Sequence, residues 1–593
     1  MFRLPSIEKK FLQEGVSDIS GNIWSSFNID LESKDGVLQV APRILINTSS
    51  VAQANMGVPV GFAKASIGAN NNWYCSSYKG TGDRIFVGTT VPSGPFVPDT
   101  ATNTPGSAAT QSGGVIAFQG RIFTPNGGSM RKLNDAGTAW TTLTAFDVGG
   151  GSPMVVFNGR LYYAYSSISI GSIDSSDAVS NPSGVPNTVA FATDIRNLPA
   201  SIIKCFGATS SSMWIGASAS EGEKGAVYQW NGSDVNVGAK YNINAQAPMA
   251  MVIKNDAPWI MDSNGSLQAF NGGSFAEKAS LPVTQNQSLG NPMSITSRLF
   301  INAAGMVVRG ESIFMLVNNL ISDTGGTINE NFPSGVWEYN EKFGLVHRGS
   351  VSRWVYLTST VSDDYGQNRI SVAGALVEAK TSDTTATTNG DFLIGAEYYT
   401  DSTATQSAVF ITDTKNSVPK TGYVVTPKIF SEEVSSTWQK FSLQHKKLLD
   451  STDKIVFKYR TTDEEPIELT GTWGNDGIIF TTATDMTGKE GYEIEGIQGV
   501  GSGMCGHIVT VVQGVETWAV TLDETFCSSN GTGKVRLQNW QKAGVISTQN
   551  TQTITKTLGV NSPYIWIKLF MMFKGEDEVN NLFLSDTIQE SLK

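Results

Sequence analysis

The chain is poor in the residues from which most active centres are built. Its 593 residues include 3 His and 4 Cys. Only 16% of residues are charged, against about 25% in ordinary soluble domains. Zinc shells of the usual kinds need Cys-x-x-Cys or His-Glu-x-x-His spacing, and neither occurs. Cys75, Cys205, Cys505 and Cys527 are scattered, so they read as free thiols in packed positions and not as a disulfide framework. Positive charge is also scarce: 42 Lys+Arg face 53 Asp+Glu, a net charge of −11. That balance denies the broad basic footprint that phosphate backbones require, so no nucleic-acid-specific binding is expected. No window offers the roughly 18 uninterrupted apolar residues of a membrane helix. The opening MFRLPSIEKKFLQEG lacks the apolar core of a secretory signal, which sets the expectation of a protein made in the cytoplasm. Helix-period stretches of useful length are missing too, which excludes coiled coils and helical solenoids.

What is present is glycine, 61 residues of it, with abundant Ser, Thr and Asn, the composition of short strands joined by turns. At roughly 150 residues per domain the length allows up to four units. From residue 56 to 415 a diverged repeat can be followed. One element is a short strand with a bulky apolar pair: Asp83-Arg84-Ile85-Phe86, Gly120-Arg121-Ile122-Phe123, Gly159-Arg160-Leu161-Tyr162, Ser212-Met213-Trp214, Pro258-Trp259-Ile260, Ser312-Ile313-Phe314 and Asn368-Arg369-Ile370. An apolar strand precedes several copies, as in Val115–Gly120, Met154–Gly159 and Met306–Gly310, and each pair predicts a β-hairpin with Gly or Asn at its turn. A second element, as in Met130–Asn134, Val227–Gly232, Leu267–Gly272 and Val336–Asn340, ends in Asn and often Gly, residues suited to left-handed turns. Four strands per repeat at propeller spacing predict an all-β fold led by a β-propeller of about seven blades. An open β-sandwich array is the structural alternative.

Residues 1–55 look like an extended N-terminal arm with a turn at Lys34-Asp35-Gly36, able to pair with a neighbour's sheet edge. After the propeller, Trp438–Leu443, Lys454–Tyr459, Tyr564–Phe570 and Asn581–Leu584 are strands of the half-buried kind. They assign 416–465 plus 546–593 to a jelly-roll-like β-sandwich. The Gly-rich segment 466–545, with strands at Tyr492–Glu495, His507–Val512 and Thr517–Leu522, predicts a small five- or six-stranded barrel inserted in it.

Each chemical motif meets a structural reading that explains it better. Gly501-Ser502-Gly503-Met504-Cys505-Gly506 satisfies G-x-G-x-x-G, but a strand follows where a phosphate-binding turn needs a helix. His347, His445 and His507 are far apart, and no Gly-x-Ser-x-Gly elbow supports a Ser-His-Asp triad. Asp363-Asp364, Glu464-Glu465 and Glu576-Asp577-Glu578 lack the spacing of a calcium loop and read as solvated turns. Arg84, Arg121 and Arg160 recur at equivalent strand positions. They would either converge on one propeller face or serve as repeat-consensus surface residues. The expectation is therefore no catalytic, cofactor-binding or metal residues and no enzymatic activity.

Some segments carry resemblances. Asn134-Asp135-Ala136-Gly137-Thr138-Ala139-Trp140 resembles the Asp-box hairpin of sialidase-like propellers, a structural motif, with Leu133 in place of its leading Ser or Thr. Asn22–Leu31 with Gly36–Arg43, then Gly501–Met504, Thr517–Glu524 and Asn539–Lys542, and finally Ser562–Lys568 resemble segments of tailed-bacteriophage structural proteins. The resemblance implies a virion protein of the tail machinery: a nozzle, tail-tip or fibre component. Its partners would be other tail proteins and copies of itself, with a host surface glycan where it serves attachment. Release by lysis would reconcile turn-rich, weakly charged surface chemistry with the missing export signal. A carbohydrate-binding adhesin and, behind it, a propeller-type glycoside hydrolase are the alternative functions.

Overall fold

In a computed structural model of the chain, the described residues are two short strands at 2–3 and 189–190 and most of 25–48, 55–105, 114–145, 153–180, 202–281, 301–349, 370–379, 392–413 and 420–587. Every element among them is a β-strand, and no helix among them is long and apolar enough to cross a membrane.

Between residues 58 and 413 the strands form a series of four-stranded antiparallel sheets, one with an added fifth strand and the last completed by Arg43–Ile46, together with a two-stranded sheet of Ile321–Ser322 and Thr327–Ile328. The four-stranded sheets are the repeating units of a β-propeller. Turn chemistry builds them. Gln119-Gly120, Asn158-Gly159 and Asn255-Asp256 all have positive φ at both positions, the two-residue geometry that matches strand twist in a tight hairpin. At the end of the third strand an amide or carboxylate caps the return turn. Asn134 Oδ1 accepts the Thr138 N–H at 2.8 Å, Asp174 Oδ1 the Ala178 N–H at 2.9 Å, and Asn271 Oδ1 the Ser274 N–H at 2.9 Å. The Asp-box-like hairpin is one of these turns, and its Trp140 is buried with Nε1 donating to Asp99 Oδ2 at 2.7 Å.

The bulky-pair element sits on the second strand of the middle sheets, at Arg121–Pro125, Arg160–Ala164, Met213–Ser218, Ala257–Asp262 and Ser312–Val317. Its first copy instead falls on the third strand of its sheet, Ile85–Gly88, and its last on a first strand, Ile370–Glu378. The signature reports a buried strand leaving a turn, and so does not fix that strand's rank in the sheet. First strands of successive sheets touch in order, and Ile370–Glu378 of the last touches Val58–Ile67 of the first. Backbones are close at that seam: a Cβ on Gly374 would collide with the Pro59 carbonyl oxygen.

The N-terminal strands do not await a neighbour. Arg43–Ile46 is the outer strand of the last repeat sheet, pairing antiparallel with Thr405–Asp413. Ser25–Phe27 pairs with Lys420–Val425, and the Ile29–Asp30/Leu38–Val40 hairpin joins Glu578–Thr587. An exposed edge in the same chain is the nearest available acceptor of unpaired backbone groups. These last pairings lie in two six-stranded sheets. Ile29, Val40 and Trp438 from one, and Val424, Phe457, Ile567 and Leu569 from the other, share a core that also takes in Val346 of a repeat sheet.

Between these sheets' strands is a closed six-stranded barrel running from Ile467–Gly474 to Gly531–Gln538, filled by Leu469, Trp473, Phe480, Ile494, Val520 and Val535. The barrel ends before the expected boundary at 545. Gln541–Ile546 crosses back to pair with Lys454–Arg460 in a six-stranded sheet, its own apolar face completing that core through Ile546.

Candidate functional site

The largest concentration of chemistry-bearing side chains lies where the barrel meets the sheet. Alternation along Lys454–Arg460 and Tyr564–Phe573 sends Phe457, Leu569 and Met571 into the shared core and Val456, Lys458, Lys568 and Phe570 toward the barrel. Lys458 and Lys568 are direct cross-strand partners, a pairing of like charges that destabilises a sheet unless something answers it. Glu493, on the barrel strand Glu493–Gly499, does so: both Nζ atoms lie 3.0 Å from its Oε1, and all three side chains are buried. Burial opposes the Glu493 charge, but Lys458 and Lys568 hold its carboxyl down at about 2, and the carboxylates hold Lys568 above the ordinary lysine range against its own burial.

A second layer surrounds this triad. Glu495 accepts from Gln538 Nε2 at 2.9 Å and lies 3.7 Å from Arg536 Nη1, and burial pushes its carboxyl up despite that arginine. Cys505 Sγ lies 3.8 Å from Lys458 Nζ, and burial pushes its thiol up to about 12. Asp523 accepts the His507 backbone N–H at 2.7 Å and Lys542 Nζ at 2.6 Å. Burial opposes its charge, but the neighbouring His507 ring, Lys542 and the His507 backbone N–H keep its carboxyl well below the usual range. The His507 ring is 3% exposed, and neither ring nitrogen has a hydrogen-bond partner among the described residues. Its Nδ1 is 3.7 Å from Asp523 Oδ2, and burial together with Lys458 pushes the imidazole pKa down. Cys, His and Asp thus meet, but a protonated thiol shut from solvent is not an activated nucleophile. The group locks two units together. No set of three or more His, Cys, Asp or Glu among the described residues is placed to hold a metal ion.

The strand that carries Cys505 and His507 continues outward. Its first four residues are buried, whereas Val509 and Val512 are 54% and 60% exposed, and Val515 at the following turn is 93% exposed. On this side the strand pairs with Glu493–Glu495 only through Cys505–His507, so among the described residues its outer part has one neighbour, Trp518–Leu522. An apolar hairpin with one carboxylate, Glu516, therefore projects from the barrel.

The residues singled out in the sequence are otherwise dispersed. Gly501–Met504 lie outside the described residues, as do Cys527, Asp363, Asp364, Glu465, Glu576 and Asp577. Cys75, Cys205 and Cys505 are free and buried. His347 is buried edge-on to Trp337 at 5.3 Å, and His445 is buried at the end of its strand. Glu464 accepts from the Tyr492 hydroxyl at 3.0 Å. The three arginines are each engaged locally. Arg84 donates to Asn126 Oδ1 of the next sheet at 2.7 Å, Arg121 reaches Asp177 of the next sheet at 3.2 Å, and Arg160 stays with Ser172 and Ser180 of its own. Sequence reasoning passed over Lys458, Lys568 and Glu493. The available signal was a lysine inside the apolar run of each of two strands, Lys458 between Phe457 and Tyr459 and Lys568 between Ile567 and Leu569.

No family model matches the chain, and neither does any curated protein sequence. Among solved structures it is similar to the computationally designed Ika8 protein, at 10% identity over 62% of this chain and 99% of that one, TM-score 0.33. It is similar to the N-terminal domain of Nup159, at 10% identity over 68% and 100%, TM-score 0.34, and to BamB from Moraxella catarrhalis, at 14% over 53% and 95%, TM-score 0.28. No function is carried from likeness at such identities.

Proposed function

We propose that the chain is a structural protein of a tailed-bacteriophage tail, a nozzle, tip or fibre component that acts through assembly interfaces with other tail proteins and with copies of itself. The observation that carries the reading is the projecting hairpin of Val509, Val512 and Val515. Apolar side chains left exposed together on a two-stranded hairpin are suited to burial against a partner. In finer detail, the proposal makes the repeat sheets seven blades of one closed propeller, zipped by Arg43–Ile46, and the two six-stranded sheets a jelly-roll-like sandwich carrying the barrel. Support comes from the cyclic order of first-strand contacts and from the core common to both six-stranded sheets. Mass spectrometry of purified particles, with gold-labelled antibody raised against the whole chain, tests the function. Labelling confined to the tail is expected, and particles lacking the polypeptide would refute the reading.

A further inference from the structure

We infer that the apolar hairpin of the barrel docks on a second copy of the chain, Val512, Val515 and Glu516 of one copy meeting Ile202 and Lys204 of the next. The inference rests on the assembly reading of that hairpin and names its partner.

Two residues break the local rules of their own elements. Glu516 stands at φ 61, in the turn where the Gly514 N–H donates to the Thr517 carbonyl at 2.7 Å. That left-handed conformation suits Gly or Asn and is unfavourable for a longer side chain. Glu516 is exposed beside Val512 and Val515, and no cation pairs with it among the described residues. Nothing in the turn itself calls for a carboxylate, and a residue held in an unfavourable conformation points to a role outside the fold. Lys204 is the second case. It is the extra residue of a bulge on Ile202–Ala208, where Ile203 pairs with Ala217 and Cys205 with Gly216. First strands of other repeat sheets have the same one-residue shift, and there the extra residue is Val60, Met249 or Ser371, all uncharged. A bulge re-aims the side chain it carries. Lys204 is half-buried with no carboxylate paired to it among the described residues, and burial holds its amine below the ordinary lysine range. Ile202 beside it is 45% exposed. Lys64, Lys240 and Lys489, by contrast, lie over the rings of Trp73, Tyr228 and Tyr492.

The two places are complementary. One offers apolar side chains with an unpaired carboxylate, the other an apolar side chain with an unpaired ammonium. A charge that has lost part of its water without gaining a partner is unfavourable, and an opposite charge brought by the next copy relieves it. Because the hairpin and the bulge are different surfaces, the contact is head-to-tail. Repeated from copy to copy, it closes into a ring where the rotation allows and extends as a filament where it does not.

Sedimentation velocity of the purified full chain tests the contact. The unsubstituted chain should self-associate with rising concentration. Glu516→Lys and Lys204→Glu should each weaken that association at least about tenfold, since like charges then face each other. Mixing the two variants should restore it, because each altered place meets an opposite charge on the other variant. Glu516→Gly, which relieves the turn, should weaken association while leaving thermal stability unchanged or higher. Should Lys204→Glu fail to fold, Lys204→Met, which copies the bulge at Met249, takes its place as the weakened single variant. A chain that stays monomeric at its highest soluble concentration would overturn self-docking and leave the tail assignment to the particle labelling. Single variants that associate like the unsubstituted chain would overturn it too, as would folded charge-reversed variants that remain apart when mixed.

Discussion

At the scale of single residues, Lys458, Lys568 and Glu493 show how a small number of charges can specify contact between two units. Each ammonium is tolerable only because one carboxylate bridges both. Glu493→Gln therefore leaves two buried cations facing each other, and a loss of about 3–5 kcal/mol is expected in denaturant unfolding. Replacing all three together by apolar residues of similar volume, Lys458→Met, Lys568→Met and Glu493→Leu, should restore most of that loss, because desolvation of the ions disappears with them. A triple variant as unstable as Glu493→Gln would show that shape, and not charge, holds the seat.

At the scale of elements, the strand Arg43–Ile46 does work that its sequence neighbours do not reveal. It closes the sheet formed by Ile370–Glu378, Phe392–Tyr399 and Thr405–Asp413, and Ile44 enters a core with Phe314, Phe392 and Phe410. The pairing joins residues more than 350 positions apart, with Thr48 Oγ1 donating to the Val409 carbonyl at 3.1 Å. Ile44→Ala should cost about 2–5 kcal/mol by the cavity it leaves. The loss should appear in thermal unfolding followed by tryptophan fluorescence. A melting curve matching the unsubstituted chain would mean that the last sheet holds without this strand's side chains.

For the whole molecule, the barrel has a core of its own, distinct from that between the six-stranded sheets. Calorimetry of Trp473→Ala, which empties the barrel centre, should therefore lower one transition by the equivalent of about 3–5 kcal/mol and leave the propeller transition in place. A uniform shift of a single transition would make barrel and propeller one cooperative unit.

Local patterns are legible without coordinates wherever the physics is local. Alternation locates the strands, and Gly and Asn locate the hairpin turns. The caps at Asn134 and Asn271 and the positive-φ pairs at Asn158-Gly159 are properties of a few adjacent residues. The scarcity of His and Cys belongs to the same level and needs no fold to be counted. Long-range pairing is different, because antiparallel strands of similar composition satisfy one another's backbone equally well in many registers. Which edge receives Arg43–Ile46, and where Gln541–Ile546 leaves the barrel, depend on which apolar faces remain uncovered once the rest has packed. The lock at Glu493 is farther still from sequence, since each of its charges reads as an ordinary interruption of a strand. Composition and periodicity by themselves determined an all-β chain of repeated four-stranded units. Tertiary structure alone decided which lysines face one glutamate, because buried charges become expensive, and therefore specific, only after packing has removed the water around them.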